Sequence, residues 1–346
     1  MVKGLTSGHR YQFRASAINR VGEGTMSPIS AVIIAATVPT RPEAPIFVTA
    51  TSTSITILLS AASDDGGAPV THYVIYADDG NQNQDNFTPV MSFNGQTLEW
   101  TIQQSAEPRF TTGSIYRFRS SAINTIGESK VSNSVLVAMA DRADKPLAPT
   151  VDRTQSSQTS LFVKWQKVTT GDIVITGYRL NMIQLASGNQ QVVYDGSLNS
   201  EVTSYLVQGL STGSYYAFHV TSVNFNGESL PSDEMTAVVC LEPFHLEKPD
   251  FVSATKTSIS ISWTQPTSTG GCPILSYAIF SDLGVSSAPF TEIDATLIRN
   301  KPYLTLHTIS NLVKTGFTHS FYLQVFNEVG SATSLITEIV LAEVPD

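Results

Sequence analysis

The chain has 346 residues, of which 41% are hydrophobic and 14% charged, and it carries a net charge of −9 at pH 7. That balance suits a folded chain of roughly two to four domains and excludes a disordered one. The acidic excess comes without any basic block or stripe, which argues against binding nucleic acid or an anionic membrane surface, since both need concentrated Lys and Arg. The longest apolar runs, such as AVIIAA at 31–36, are too short to span a bilayer. The first ten residues, MVKGLTSGHR, lack the apolar centre of a secretory leader.

From the N-terminus, Phe13, Ala15 and Ala17 alternate with Gln12, Arg14 and Ser16, the period-two pattern of a half-buried strand. The strand runs into SAINRVGEG (16–24), where Asn19 and Gly22 suit a type I turn: the Asn side chain bonds nearby backbone and the Gly accepts a positive φ. VIIA (32–35) follows as a closing strand, then a linker, TVPTRPEAP (37–45). The next hundred residues open with Ile55, Ile57 and Leu59 in alternation, with Leu58 breaking the polar face, and end with SAINTIGES (121–129), VLVA (135–138) and DRADKPLAP (141–149). Leu161, Val163 and Trp165 begin the same sequence of elements again, through TSVNFNGES (221–229), AVVC (237–240) and LEPFHLEKP (241–249). Ile259, Ile261 and Trp263 begin it once more, through QVFNEVGSA (324–332) to IVLA (339–342).

Three independent markers share this period of about a hundred residues, a typical domain size. The first is the turn pair: Asn19 and Gly22, Asn124 and Gly127, Asn224 and Gly227, Asn327 and Gly330. The second is the linker proline at Pro45, Pro149 and Pro249; the third is the aromatic at Tyr73, Tyr178 and Tyr277. Short alternating strands between Gly, Pro and Asn clusters predict β-sandwiches. The proline-bearing linkers are extended and semi-rigid, so the units are expected to lie end to end as a rod.

These residues together resemble the fibronectin type III domain. The resemblance rests on GGAPVTHY (66–73) and GGCPILSY (270–277), on LTSGHRYQF (5–13) and LSTGSYYAF (210–218) with FTTGSIYRF (110–118) as a variant, and on the recurrent Ala-x-Asn-x-x-Gly type of turn. It covers essentially the whole chain. It implies an all-β fold of tandem immunoglobulin-like sandwiches: a C-terminal domain fragment at 1–38 and three complete domains at 42–142, 146–243 and 247–346. It also implies a tyrosine corner at Tyr11, Tyr116 and Tyr216, each hydroxyl bonding backbone upstream. Three departures stand out. Leu59 replaces the second-strand Trp, so the core of that unit is expected to be packed by aliphatics; GDIVITGY (171–178) lacks the Gly-Gly-x-Pro turn; and His319 stands in the place of the corner tyrosine, predicting a weaker or altered corner. Aligning MVKGL (1–5) on LVQGL (206–210) puts Met1 inside a fifth strand. The expectation is a slice of a longer polypeptide, the alternative being strands supplied by a neighbouring copy in a fibre.

In this family the loop carrying Cys272 lies at the end facing the preceding domain, which makes Cys240 and Cys272 a candidate interdomain disulfide. Two small buried residues with free thiols explain the same sequence, because Ala35, Ala138 and Ala342 stand in the place of Cys240 and Ala68 in that of Cys272. Asn86, in the sequon Asn86-Phe87-Thr88, is a candidate glycosylation site. DDGNQNQDN (78–86) is rich in oxygen side chains but fails the EF-hand pattern, because Gln84 stands where glycine is needed, and reads as a polar hairpin loop. Catalytic motifs, a cofactor and a metal are not expected: the six histidines are scattered, and no HExxH, GxSxG, P-loop or dinucleotide fingerprint occurs. An RGD tripeptide is also absent. The resemblance therefore implies a non-catalytic structural or adhesive array that contacts other proteins, or copies of itself in a fibre, at the cell surface or outside the cell. The alternatives are an intracellular cytoskeletal or ciliary scaffold and a non-catalytic array appended to an enzyme.

Overall fold

The computed structural model describes residues 1–81, 85–94, 97–285 and 287–342. Its strands form a two-stranded fragment followed by three sandwiches, here units 1 to 4 in chain order. In unit 1, β1 (Arg10–Tyr11) pairs antiparallel with β2 (Ile33–Ile34). Two strands bury too little apolar surface to stabilise themselves, and Ile18 and Val21 stand 77% and 97% exposed.

Unit 2 packs β3 (Ile46–Thr51), β4 (Ser54–Leu58) and β7 (Glu99–Gln103) as one sheet. Facing it is a sheet of β5 (His72–Ala77), β6 (Thr88–Asn94), β8 (Ile115–Ile123) and β9 (Val135–Ala138), in the order β6-β5-β8-β9. Unit 3 repeats the scheme. Its first sheet is β10 (Thr150–Ser157), β11 (Ser160–Lys164) and β14 (Ser204–Gln208); its second is β12 (Ile175–Gln184), β13 (Asn189–Gly196), β15 (Tyr215–Asn224), β16 (Gly227–Glu228) and β17 (Met235–Val238). Unit 4 has β18 (Asp250–Ala254), β19 (Ile259–Ser262) and β22 (Leu306–Ile309) against β20 (Ser276–Ser281), β21 (Thr291–Ile293), β23 (Thr318–Phe326), β24 (Ser331–Thr333) and β25 (Thr337–Val340). It also has one helical turn, α1 (Ala295–Ile298), whose Ile298 is buried.

The alternating residues form the cores. Ile55, Ile57 and Leu59 pack with Tyr73 and Phe118; Leu161, Val163 and Trp165 with Tyr178 and Phe218; Ile259, Ile261 and Trp263 with Tyr277 and Phe321. Burying each such side chain contributes about 1.5–3 kcal/mol. The core of unit 2 is not the aliphatic one expected from Leu59. Phe110, fully buried, meets Tyr116 edge-on with ring centroids 4.7 Å apart, so aromatic volume enters from the loop before β8 instead of from β4.

The closing strands also differ in register from their expected placement. Ala138 lies opposite Ile115 and Val238 opposite Tyr215. The Gly113 N–H bonds Met139 O as the Gly213 N–H bonds Val239 O. Cys240 therefore corresponds to Ala140 and not to Ala138. By the same rule, the Gly8 N–H on Ala35 O places Ala36 at the Cys240 position in unit 1.

Candidate functional site

The features that recur from unit to unit converge on the junctions between units, and they begin with the Asn-x-x-Gly turn. In every copy the Asn Oδ1 accepts backbone N–H groups from within the turn: Val21 and Gly22 on Asn19 (2.8 and 3.1 Å), Ile126 and Gly127 on Asn124 (2.9 and 3.1 Å), Asn226 on Asn224 (2.9 Å), Val329 and Gly330 on Asn327 (2.9 and 3.0 Å). Gly22, Gly127 and Gly227 have φ of 153°, 154° and 125°, a region that favours glycine. Gly330 is outside that region, and a Cβ there would meet only the exposed Glu242 side chain, which can turn aside.

The other half of each buried Asn amide leaves the turn. Asn124 Nδ2 donates to Thr37 O (2.7 Å) and Asp65 O (2.8 Å), Asn224 Nδ2 to Asp141 O (3.0 Å), and Asn327 Nδ2 to Leu241 O (2.7 Å) and Thr269 O (2.9 Å). Thr37, Asp141 and Leu241 are the first residues of the three linkers. Each turn thus clamps the incoming linker, with the Oδ1 acceptor holding the turn and the Nδ2 donors holding the junction.

Around this shared clamp each junction is built differently. Between units 1 and 2, the Thr37 N–H bonds Gly66 O and the Thr40 N–H bonds Asp64 O, both at 2.9 Å. Gly67 must be glycine there: its φ is 86°, and a Cβ would sit 2.6 Å from Gly8 N. Between units 2 and 3, Asn226 donates to Ala138 O (2.8 Å) and Ala140 O (2.7 Å) and accepts the Ala138 N–H (3.2 Å). Between units 3 and 4, Cys240 and Cys272 are joined by a disulfide, buried with Val238 and flanked by Val329. The same junction has Arg153 Nη1 donating to Val238 O (2.7 Å) and Cys240 O (3.2 Å), and the Tyr215 hydroxyl donating to the Glu328 carboxylate. Burial pulls the Arg153 pKa below the ordinary arginine value, whereas the bond to Glu328 pushes the Tyr215 hydroxyl above the ordinary tyrosine value.

At the opposite end of each last hairpin, Tyr11, Tyr116 and Tyr216 hydroxyls accept the N–H of the residue five positions upstream: Thr6 (2.8 Å), Thr111 (2.8 Å) and Ser211 (3.2 Å). His319 occupies this position in unit 4, fully buried, and neither ring nitrogen has a hydrogen-bond partner among the described residues. Burial drives its pKa below the usual histidine value, with the Lys314 charge pushing the same way and Asp282 opposing.

The polar loop 78–86 lies partly outside the described residues. Asp78 within it is buried and accepts the Arg117 N–H at 2.9 Å and Arg117 Nε at 2.7 Å, which anchors the end of β5 to β8. Asn86 is exposed at the surface, and the Phe87 ring lies under the Arg119 guanidinium at 3.8 Å.

One recurrent feature escaped the sequence reading. Between the two halves of the closing strand the ladder is interrupted, and serine hydroxyls stand in for the missing carbonyls. Ser132 Oγ accepts the Ser120 N–H, Ser232 Oγ the Val220 N–H, Ser334 Oγ the Leu323 N–H and Ser27 Oγ the Ala15 N–H, at 2.9–3.1 Å. The signal was present, because Ser27, Ser132 and Ser232 each follow the turn Asn by eight residues and Ser334 follows Asn327 by seven.

The family model described as "Fibronectin type III domain" matches residues 144–238. The chain is similar to protein sidekick-1 of Gallus gallus (25% identical, 77% of this chain and 12% of that protein), and to titin of Drosophila melanogaster (25%, 98% and 2%). It is also similar to fibronectin type-III domain-containing protein 3A of Homo sapiens (27%, 92% and 25%). It therefore spans no more than a quarter of the length of these three relatives. Among solved structures, the chicken CNTN1 FN1-FN3 domains align over 89% of this chain and 100% of theirs, at 15% identity and a TM-score of 0.35. With three sandwiches of common topology, a corner tyrosine in all but the last unit and a shared Asn-x-x-Gly clamp, the chain is a tandem fibronectin type III domain protein.

Proposed function

We propose that this chain is a non-catalytic spacer that presents its sheet faces to other proteins at a cell surface or in an extracellular fibre. Repeated clamps between consecutive units suit a segment whose task is to hold domains in fixed succession. The observation that carries the extracellular assignment is the Cys240–Cys272 disulfide, since such crosslinks persist in oxidising compartments and are rare in the cytosol. The exposed Asn86 sequon supports the same compartment, as a glycan acceptor on a surface loop. On this reading the domain bounds are 1–38, 42–142, 146–243 and 247–346.

The test is to express the chain through a secretory route, denature it without reductant, count thiols and weigh it before and after glycosidase treatment. Absent thiols and a mass shift at Asn86 are expected. Two free thiols together with no mass shift would overturn the extracellular assignment and favour an intracellular scaffold.

A further inference from the structure

The disulfide alters where load enters unit 4. Cys240 follows β17 at the end of unit 3, and Cys272 lies beyond both β18 and β19 of unit 4, 32 residues on. Between them the linker is zipped onto the loop that carries Cys272: the Leu241 N–H bonds Gly270 O (2.9 Å), the Phe244 N–H bonds Ser268 O (3.1 Å) and the Thr267 N–H bonds His245 O (3.2 Å). Both sulfurs are buried, packed with Val238 and Val329, so solution reductants meet them only when the junction opens.

We propose that tension transmitted along the chain bypasses residues 241–271 and enters unit 4 at Cys272. Without the crosslink, a pull from unit 3 reaches β18 first. That strand is held on one side only, by β19, and an antiparallel edge can open bond by bond. With the crosslink, the first strand loaded is β20, which has β21 on one side and β23 on the other. Two ladders must part before it leaves, and β18 and β19 carry no load. Unit 4 is thereby protected against opening from the side of unit 3, and the junction between units 3 and 4 becomes a force coupler. The other two junctions have alanine, Ala36 and Ala140, where Cys240 stands.

This inference rests on the crosslink assigned under the proposed function, and single-molecule stretching separates the two. The whole 346-residue chain, held at its ends in non-reducing buffer, is compared with C240A/C272A. Alanine already fills the equivalent positions at Ala140 and Ala68, so the variant keeps side chains the fold accepts. In the native chain the extension step of unit 4 should be shorter than in the variant by about 110 Å, the extended length of the bypassed segment. Its lifetime under constant force should be at least about fivefold longer, equivalent to one more ladder hydrogen bond broken at the barrier. A shortened step with an equal or shorter lifetime would overturn the load path while leaving the crosslink intact. Equal full-length steps would overturn the crosslink itself. If unit 4 of the variant does not fold, native chain reduced by a dithiol and allowed to refold at low force supplies the same comparison.

Discussion

Asn226 forms an amide-to-backbone pair with Ala138, 88 residues earlier: its Nδ2 donates to Ala138 O at 2.8 Å and its Oδ1 accepts the Ala138 N–H at 3.2 Å. The side chain thus extends the end of unit 2 as one more strand residue would. At the equivalent position units 2 and 4 carry Ile126 and Val329. Exchange of Asn226 for isoleucine should leave the Ala138 N–H and the Ala138 and Ala140 carbonyls without these partners, at a cost of about 2 kcal/mol. Limited proteolysis across 141–149 should become faster, and urea unfolding of units 2 and 3 should become less cooperative. Unchanged cleavage would mean that the pair does not hold the junction.

Asn327→Asp tests the clamp at the last junction. The carboxylate keeps the acceptor for Val329 and Gly330 but replaces the donor to Leu241 O and Thr269 O with a negative oxygen. Loss of the buried bonds should destabilise unit 4 by about 1–3 kcal/mol. Asn19→Asp, in the exposed copy of the turn, should cost far less. Equal losses at the two sites in denaturant titrations would show that the turn, and not the linker bond, carries the effect.

His319→Tyr should restore the missing corner. Gly284 lies beside His319 as Gly80 lies beside Tyr116, so the neighbouring backbone has room for a phenol of that orientation. A hydrogen bond from the Lys314 N–H, five positions upstream, should add about 1 kcal/mol to unit 4. An unchanged or lower melting temperature for that unit would exclude this geometry.

The same histidine predicts acid sensitivity. Its folded pKa lies below the unfolded value of 6.5, so the unfolded chain binds more protons as the pH falls through that region. Its contribution to stability is therefore complete above about pH 6.5 and is lost progressively as the pH falls toward the folded pKa. Asp282, facing His319, has its own pKa held below the ordinary value by the Ser320 and Gly284 N–H groups, against the opposing effect of burial, so its loss of stabilisation comes at more acidic pH. Thermal unfolding of unit 4 between pH 7.5 and 5 should show a downward shift that H319Y abolishes; a shift of equal size in H319Y would assign the effect to the carboxylates.

Local chemistry explains why so much was legible. The Asn-x-x-Gly turn, the alternating cores and the corner tyrosines satisfy needs that arise within a few residues or within one strand, so the pattern of Asn19, Ile55 or Tyr116 announces its own role. The aromatic filling of unit 2 was misread because Phe110 sits in a loop, where no periodicity marks a core residue. The closing-strand register was misread by one residue in unit 1 and by two in unit 2, because a short, continuously apolar run carries no alternation to fix its face.

The sequence by itself determined an all-β tandem of about hundred-residue units, since period-two alternation and the repeat depend only on the order of residues, and its motifs carried the resemblance to fibronectin type III. The tertiary structure decided what those repeats hold together. The partners of Asn124, Asn226 and Cys240 lie 87, 88 and 32 residues away. Donors, acceptors and sulfurs that distant meet only once the sandwiches have formed and their ends abut. Hence an asparagine that reads as turn chemistry is also a clamp on the preceding linker, and three junctions with similar linkers are closed by glycine contacts, an amide pair and a disulfide.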